Sequence, residues 1–251
     1  MIRRRKLINK GLLALLSVSI SLSSASFAKA TDVQDEPGLP RVLLIGDSIS
    51  MGLGTSNDQG YEEPTRKLLR GKANVHAISG NGGNTEFGLQ HLSEWLGQEH
   101  WDVIHFNWGL HDLARKSNWP SLDGDHNVPV DRYERNLREI VTRLKATGAS
   151  LIWATTTPVP KRIENVGANR RNSDVIAYNR AARKIMKEQH VAIDDLYSFA
   201  LPRLKEIQIP DDVHFTFKGS AVLAKPVADS ILASLEHRRR AVGRHLGGLK
   251  K

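Results

Sequence analysis

Four short stretches of this 251-residue chain carry side chains that could work together chemically. Gly46-Asp47-Ser48 follows the apolar run RVLLI, GNGGNT spans 80–85, Gly109-Leu110-His111-Asp112 ends another apolar run, and Asp211-Asp212-Val213-His214 comes late. A serine hydroxyl becomes a nucleophile beside a base, and an imidazole base needs a carboxylate to fix its tautomer. Ser48, His214 and Asp211 supply those three types. The tetrahedral intermediate of acyl transfer carries charge on oxygen, and glycine-rich turns expose backbone N–H donors to meet it. Each stretch alone is weak. Gly-Asp-Ser arises by chance, Asp-x-x-His is more often a capped turn, paired glycines mark turns, and a lone histidine is usually structural.

Order and placement make the set informative. Short runs at 41–45, 74–79, 102–108, 150–156 and 191–195 have strand length and β-branched or aromatic content. Between and after them lie amphipathic segments at about 60–71, 85–98, 131–147, 172–189 and 218–237. In the third, Tyr133, Leu137, Ile140, Val141 and Leu144 fall on one face, with Asp131 expected as N-cap and Gly148 after the end. Strand and helix alternating in this way predict a parallel sheet covered on both faces. Such sheets bind ligands beyond the carboxyl ends of their strands, where the four stretches fall. The longest irregular segment, 114–129, has the length of a lid or substrate loop.

The ordered blocks resemble the SGNH, or GDSL, hydrolase family over about 41–235. Its first block is matched by Gly46, Asp47 and Ser48. Its second, a glycine offering a backbone N–H, fits best at Gly83, with Gly80 and Gly82 as other registers. Its last, Asp-x-x-His, selects Asp211 and His214; Asp212 competes for that role and is read as a turn cap. The third block departs, with His111 where Gly-x-Asn-Asp has asparagine. A neutral imidazole has one N–H and could donate from that place. Asn107 or Asn84 could instead supply the amide and leave His111 structural. The resemblance implies a flavodoxin-like three-layer α/β/α sandwich with a five-stranded parallel sheet in order 2-1-3-4-5. It implies a serine esterase with Ser48, Asp211 and His214 catalytic and Ser48, Gly83 and His111 around the oxyanion.

The ends of the chain carry different signals. Residues 1–30 join a cationic start, an apolar GLLALLSVSISL and a small-residue stretch ending at Ala30. That is the pattern of a secretory signal peptide cleaved after Ala30, its apolar core being too short to span a bilayer. The arginines at 3–5 fit a twin-arginine signal poorly, and no cysteine follows for a lipid anchor. A linker is expected over 31–40, the hydrolase domain over 41–237 and a basic tail over 238–251, with no membrane insertion of the mature chain. The localisation read from this is secreted or periplasmic.

Much of the formal charge of +9 sits at those ends. Residues 1–30 hold six bases and no acid, and the stretch from Glu236 onward holds six bases and one acid. The body between them is slightly acidic, which argues against nucleic acid as partner. With no cysteine in the chain, disulfides and thiolate metal sites are excluded. No Gly-Lys-Ser/Thr follows the glycine-rich turns and no zinc spacing of histidines occurs, so neither cofactor nor metal is expected. Asp123 and Asp125 in DGDHN read as turn residues.

The expected substrate is an ester. Export, the polar 114–129 loop, Trp119 within it and Trp108 nearby favour acetyl groups on carbohydrate. A lysophospholipase or thioesterase is the alternative, and a non-catalytic carbohydrate-binding domain the alternative of another class. The sequence leaves the oligomeric state open.

Overall fold

In the computed structural model, residues 34–52, 60–117, 122–160 and 169–248 are described. The expected signal peptide, its cleavage point and Trp119 fall outside them. Five apolar runs form the sheet: β1 Arg41–Ile45, β2 Asn74–Ala77, β3 Val103–Phe106, β4 Ser150–Ala154 and β5 Ala192–Asp194. All neighbours pair in parallel, in the order β2-β1-β3-β4-β5, as expected for a flavodoxin-like sheet. Strands β2 and β3 are buried throughout, because helices cover both faces and leave no solvent side for alternation.

The helices are α1 Ser48–Met51, α2 Glu62–Leu68, α3 Thr85–Leu96, α4 Val130–Ala146 and α5 Asn172–Glu188. After β5 come α6 Leu196–Ala200, a 3₁₀ turn over Leu201–Arg203, α7 Leu204–Ile207 and α8 Phe217–Gly248. Helix α4 packs between α3 and α5 in one layer, and α2 packs on α8 in the other. The sheet and both layers enclose one apolar core that includes Trp153, Phe106 and Trp101. The face of α4 expected to be buried is buried: Tyr133, Leu137, Ile140, Val141 and Leu144.

Two details differ from the sequence expectation. Helix α4 begins at Val130 with Pro129 at its N-cap, so Asp131 lies inside the first turn and pairs with Arg135 at 2.9 Å. There it still complements the positive end of the helix. Helix α8 runs past 237 to Gly248, since Arg, Ala, His and Leu residues favour continuation until the Gly247-Gly248 pair. Among the described residues no helix is long and apolar enough to cross a membrane.

Candidate active site

Strand β1 stops at Gly46 because two loops meet there. A Cβ on Gly46 would lie 2.4 Å from Ser50 Oγ, so only glycine lets α1 fold back this tightly. Its carbonyl accepts the Gly82 N–H at 2.8 Å, which ties the loop bearing Ser48 to the glycine-rich loop. Asp47 then caps α1, its Oδ1 accepting the Ile49 N–H at 2.9 Å. Ser48 is the first residue of α1, buried at the carboxyl end of β1, and its N–H donates to no group among the described residues. A helix start leaves such N–H groups unpaired and favours negative charge nearby.

The base comes from the loop before α8. His214 Nε2 lies 2.9 Å from Ser48 Oγ, although 166 residues separate them in the chain. Its Nδ1 lies 2.7 Å from Asp212 Oδ1. A carboxylate only accepts, so Nδ1 carries the hydrogen and Nε2 is left to accept the serine proton. Asp212 Oδ1 also accepts the His214 backbone N–H at 2.9 Å.

The histidine's carboxylate partner is therefore Asp212, where the sequence expectation was Asp211. Local backbone geometry explains the correction. Ile209-Pro210-Asp211-Asp212 is a tight turn closed by the Asp212 N–H on the Ile209 carbonyl at 3.2 Å. Proline at its second position and φ of +55° at Asp211 place Asp211 at the exposed tip. Asp212 follows on the buried side and is 7% exposed. The proline carries the signal in the sequence, because Pro-Asp ahead of a second Asp marks the first Asp as the turn residue.

His111 and Asp112 follow β3. His111 is half-buried, and burial lowers its imidazole pKa below the ordinary value. Arg170 and His214 push in the same direction and Asp47 opposes them, so the ring lies in the electrostatic field of the serine loop and the base. Of the two other amides, Asn107 Nδ2 donates to the Ala154 carbonyl at 2.7 Å, while Asn84 Oδ1 caps α3 by accepting the Phe87 N–H at 2.9 Å.

Asp112 is fully buried and fastens this block to α3. Its Oδ1 accepts the Thr85 N–H at 2.9 Å and the Thr85 hydroxyl at 2.5 Å. Its Oδ2 has no hydrogen-bond partner among the described residues, and burial raises the carboxyl to about 7.

Gly83 has φ of +60°, so glycine suits the position, but its N–H is already used by Asn81 Oδ1 at 2.8 Å. The Gly82 N–H is held by Gly46, as above. Trp108, expected near a substrate surface, is instead 1% exposed. Its indole N–H donates to the Gly82 carbonyl at 3.1 Å and its ring packs on Gly88 and Trp95, so it supports the second loop from inside. Within 114–129, the segments on either side of 118–121 pair through Arg115 and His126. Lys116 there donates its N–H to the Asp125 carbonyl at 3.0 Å.

Arg170 was not anticipated from the sequence. Its Nε donates to the Leu110 carbonyl at 2.8 Å and Nη1 to Asn169 Oδ1 at 2.9 Å, which brings a cation beside the His111 segment. A small void borders the serine loop, walled by the buried Asp47, Tyr61, Leu110 and Thr155–Thr157. Among the described residues no group of three or more His, Asp or Glu side chains is placed to hold a metal ion.

Residues 44–222 match the model of the GDSL-like lipase/acylhydrolase family. A GDSL esterase/lipase of Arabidopsis thaliana is 25% identical over 210 residues, covering 76% of this chain and 85% of the relative. The crystal structure of a lipase/acylhydrolase from Enterococcus faecalis superposes with a TM-score of 0.63 at 18% identity, covering 77% of this chain and 95% of that one. The acetylxylan esterase Axe2 of Geobacillus stearothermophilus gives 0.60 at 20% identity, over 78% and 94%. These two share the fold. With the family model spanning most of the chain, this protein belongs to the GDSL-like lipase/acylhydrolase family and is a carboxylic ester hydrolase.

Proposed function

We propose that the protein is an exported serine esterase that removes short acyl groups, chiefly O-acetyl, from carbohydrates. The observation that carries the mechanism is the continuous line from Ser48 Oγ through His214 to Asp212, with contacts of 2.9 and 2.7 Å. Ser48 Oγ attacks the ester carbonyl while His214 Nε2 takes its proton. The imidazolium, held by Asp212, returns that proton to the departing alcohol oxygen as the carbon–oxygen bond breaks. Water then attacks the acyl-enzyme, giving its proton to His214, which passes it to Ser48 Oγ as the carbon–oxygen bond breaks and the carboxylic acid leaves.

The unpaired N–H of Ser48 is the first oxyanion donor. His111, kept neutral by burial, offers its ring N–H as another. The Gly83 N–H joins when the oxyanion displaces the Asn81 amide oxygen, since a charged acceptor binds an N–H more strongly than a neutral one.

One observation supports a short acyl group on a sugar. A neighbour in fold is named as an acetylxylan esterase. Export rests on the pattern of residues 1–30, and the exported protein is expected to begin at Thr31.

The test compares Ser48→Ala with the native enzyme on p-nitrophenyl esters from C2 to C12 and on acetylated xylan and pectin. Turnover and fluorophosphonate labelling should both disappear with the hydroxyl, and rates should fall beyond the shortest esters. Residual esterase activity in the alanine variant would refute the nucleophile. A preference for long acyl chains would replace the acetylesterase reading with a lysophospholipase or thioesterase one.

A further inference from the structure

One face of α5 carries cations at helical spacing. Arg180, Arg183, Lys184 and Lys187 line a cleft of about 540 Å³ with Ile176 and Tyr197, between α5 and α6. Arg183 is committed to Asp195 at 2.5 Å. Arg180, Lys184 and Lys187 are exposed and form no ion pair among the described residues. From Ile176 to Lys187 the helix rises about 16 Å, so the cations mark out a track. Lys and Arg stems, Ile176 and the Tyr197 ring give that track an apolar wall beneath a charged rim.

The upper end of the cleft joins the catalytic edge of the sheet. The Tyr197 N–H donates to Thr155 Oγ1 at 2.8 Å, and the Asn179 side chain bonds both the N–H and the carbonyl of Thr156, at 2.9 and 2.8 Å. Thr155 and Thr156 follow β4 at the carboxyl edge of the sheet, the edge at which Ser48 follows β1. A ligand lying along α5 therefore reaches the edge of the sheet on which Ser48 lies.

We infer that the α5 cleft binds an anionic polysaccharide and guides its acylated residue to Ser48. The ligand's identity rests on the carbohydrate reading above. Sugar rings have apolar faces that suit Tyr197, Ile176 and the aliphatic stems, while carboxylates along the chain meet the three unpaired cations. A single chain fits a concave track. An anionic membrane is flat, and meets protruding side chains rather than a cleft.

The test measures binding of the full-length exported protein to polygalacturonate and to neutral xylan by calorimetry, at low and high salt. The comparison is with an Arg180→Glu/Lys184→Glu/Lys187→Glu variant that keeps the same basic C-terminal segment, so any binding by that segment is common to both. The native protein should bind polygalacturonate in a salt-sensitive way and xylan weakly, and the variant should lose about tenfold or more in affinity. Its turnover of p-nitrophenyl acetate and its thermal midpoint should match the native enzyme, which separates this inference from the catalytic one. Equal binding by native and variant protein, equal affinity for xylan, or no binding to polygalacturonate would overturn it. So would binding to phosphatidylglycerol vesicles in place of polygalacturonate. Loss of p-nitrophenyl acetate turnover in the variant would also count against it, because these residues would then shape the Ser48 site itself.

Discussion

Asp212 Oδ1 receives two hydrogen bonds from His214, one from ring Nδ1 at 2.7 Å and one from the backbone N–H at 2.9 Å. The same oxygen therefore fixes both the turn that carries the histidine and the tautomer of its ring. The neighbouring Asp211 is exposed on the outside of that turn.

Asp212→Asn should lower kcat about 10³-fold or more, because an amide can present a donor to Nδ1 and favour the wrong tautomer. Asp211→Asn should leave kcat near the native value. Asp211→Gly should raise stability by up to about 1 kcal/mol, since glycine adopts the left-handed backbone without strain. Steady-state kinetics and urea unfolding of the three variants check this. A loss of kcat in Asp211→Asn as large as that in Asp212→Asn would restore Asp211 as the catalytic partner.

His111 stands where the family pattern has asparagine, and its role separates in two substitutions. As an oxyanion donor, His111→Ala should cost roughly 10²–10³ in kcat with little change in KM, and His111→Asn should recover much of it. A purely structural histidine predicts lower thermal stability in both variants with kcat nearly unchanged. Burial lowers the ring's pKa, so it is neutral at neutral pH and gains a proton only on the acid side. The native kcat profile should therefore change on that side in a way His111→Asn lacks.

The Asp112 carboxyl predicts a stability that falls as pH rises. Burial lifts it from 3.8 to about 7, so the folded state holds its proton more tightly than the unfolded chain does. The stabilisation is complete below the unfolded value and is lost as pH climbs through about 7. A shift of about three units corresponds to as much as about 4 kcal/mol if fully expressed. Glu62, raised to about 7 by burial, shares the same window. Asp112→Asn mimics the protonated form and places an N–H₂ where Oδ2 has no partner among the described residues. It should be more stable than the native protein at about pH 8 and lose more than half of that advantage by about pH 5. Urea unfolding at the two pH values checks it, and an unchanged pH dependence in the variant would remove Asp112 as the source.

Local features of the sequence determined the layers. Each strand was visible as a short β-branched run, and each long helix as an apolar stripe such as Tyr133, Leu137, Ile140, Val141 and Leu144. Alternation of the two kinds then fixes a parallel sheet, because a helix crossover returns each strand in the same direction. The positions of Ser48 and His214 were legible for the same reason: Ser48 comes just after β1 and His214 just before α8, elements whose ends can be read. What only tertiary structure decided is which groups those residues meet. Asp211 and Asp212 are alike in composition, and the left-handed turn behind Pro210 chooses between them. Trp108 was read as a surface aromatic, yet a glycine 20 positions earlier opens the space that buries it. Gly83 carries the expected backbone, but a side chain two residues away occupies its N–H. Arg170 reaches the site from beyond β4 to bond Leu110, a contact 60 residues apart in the chain that no local pattern encodes. Periodicity reports which face of an element is buried, whereas a hydrogen-bond partner depends on loops brought together only once the sheet has closed.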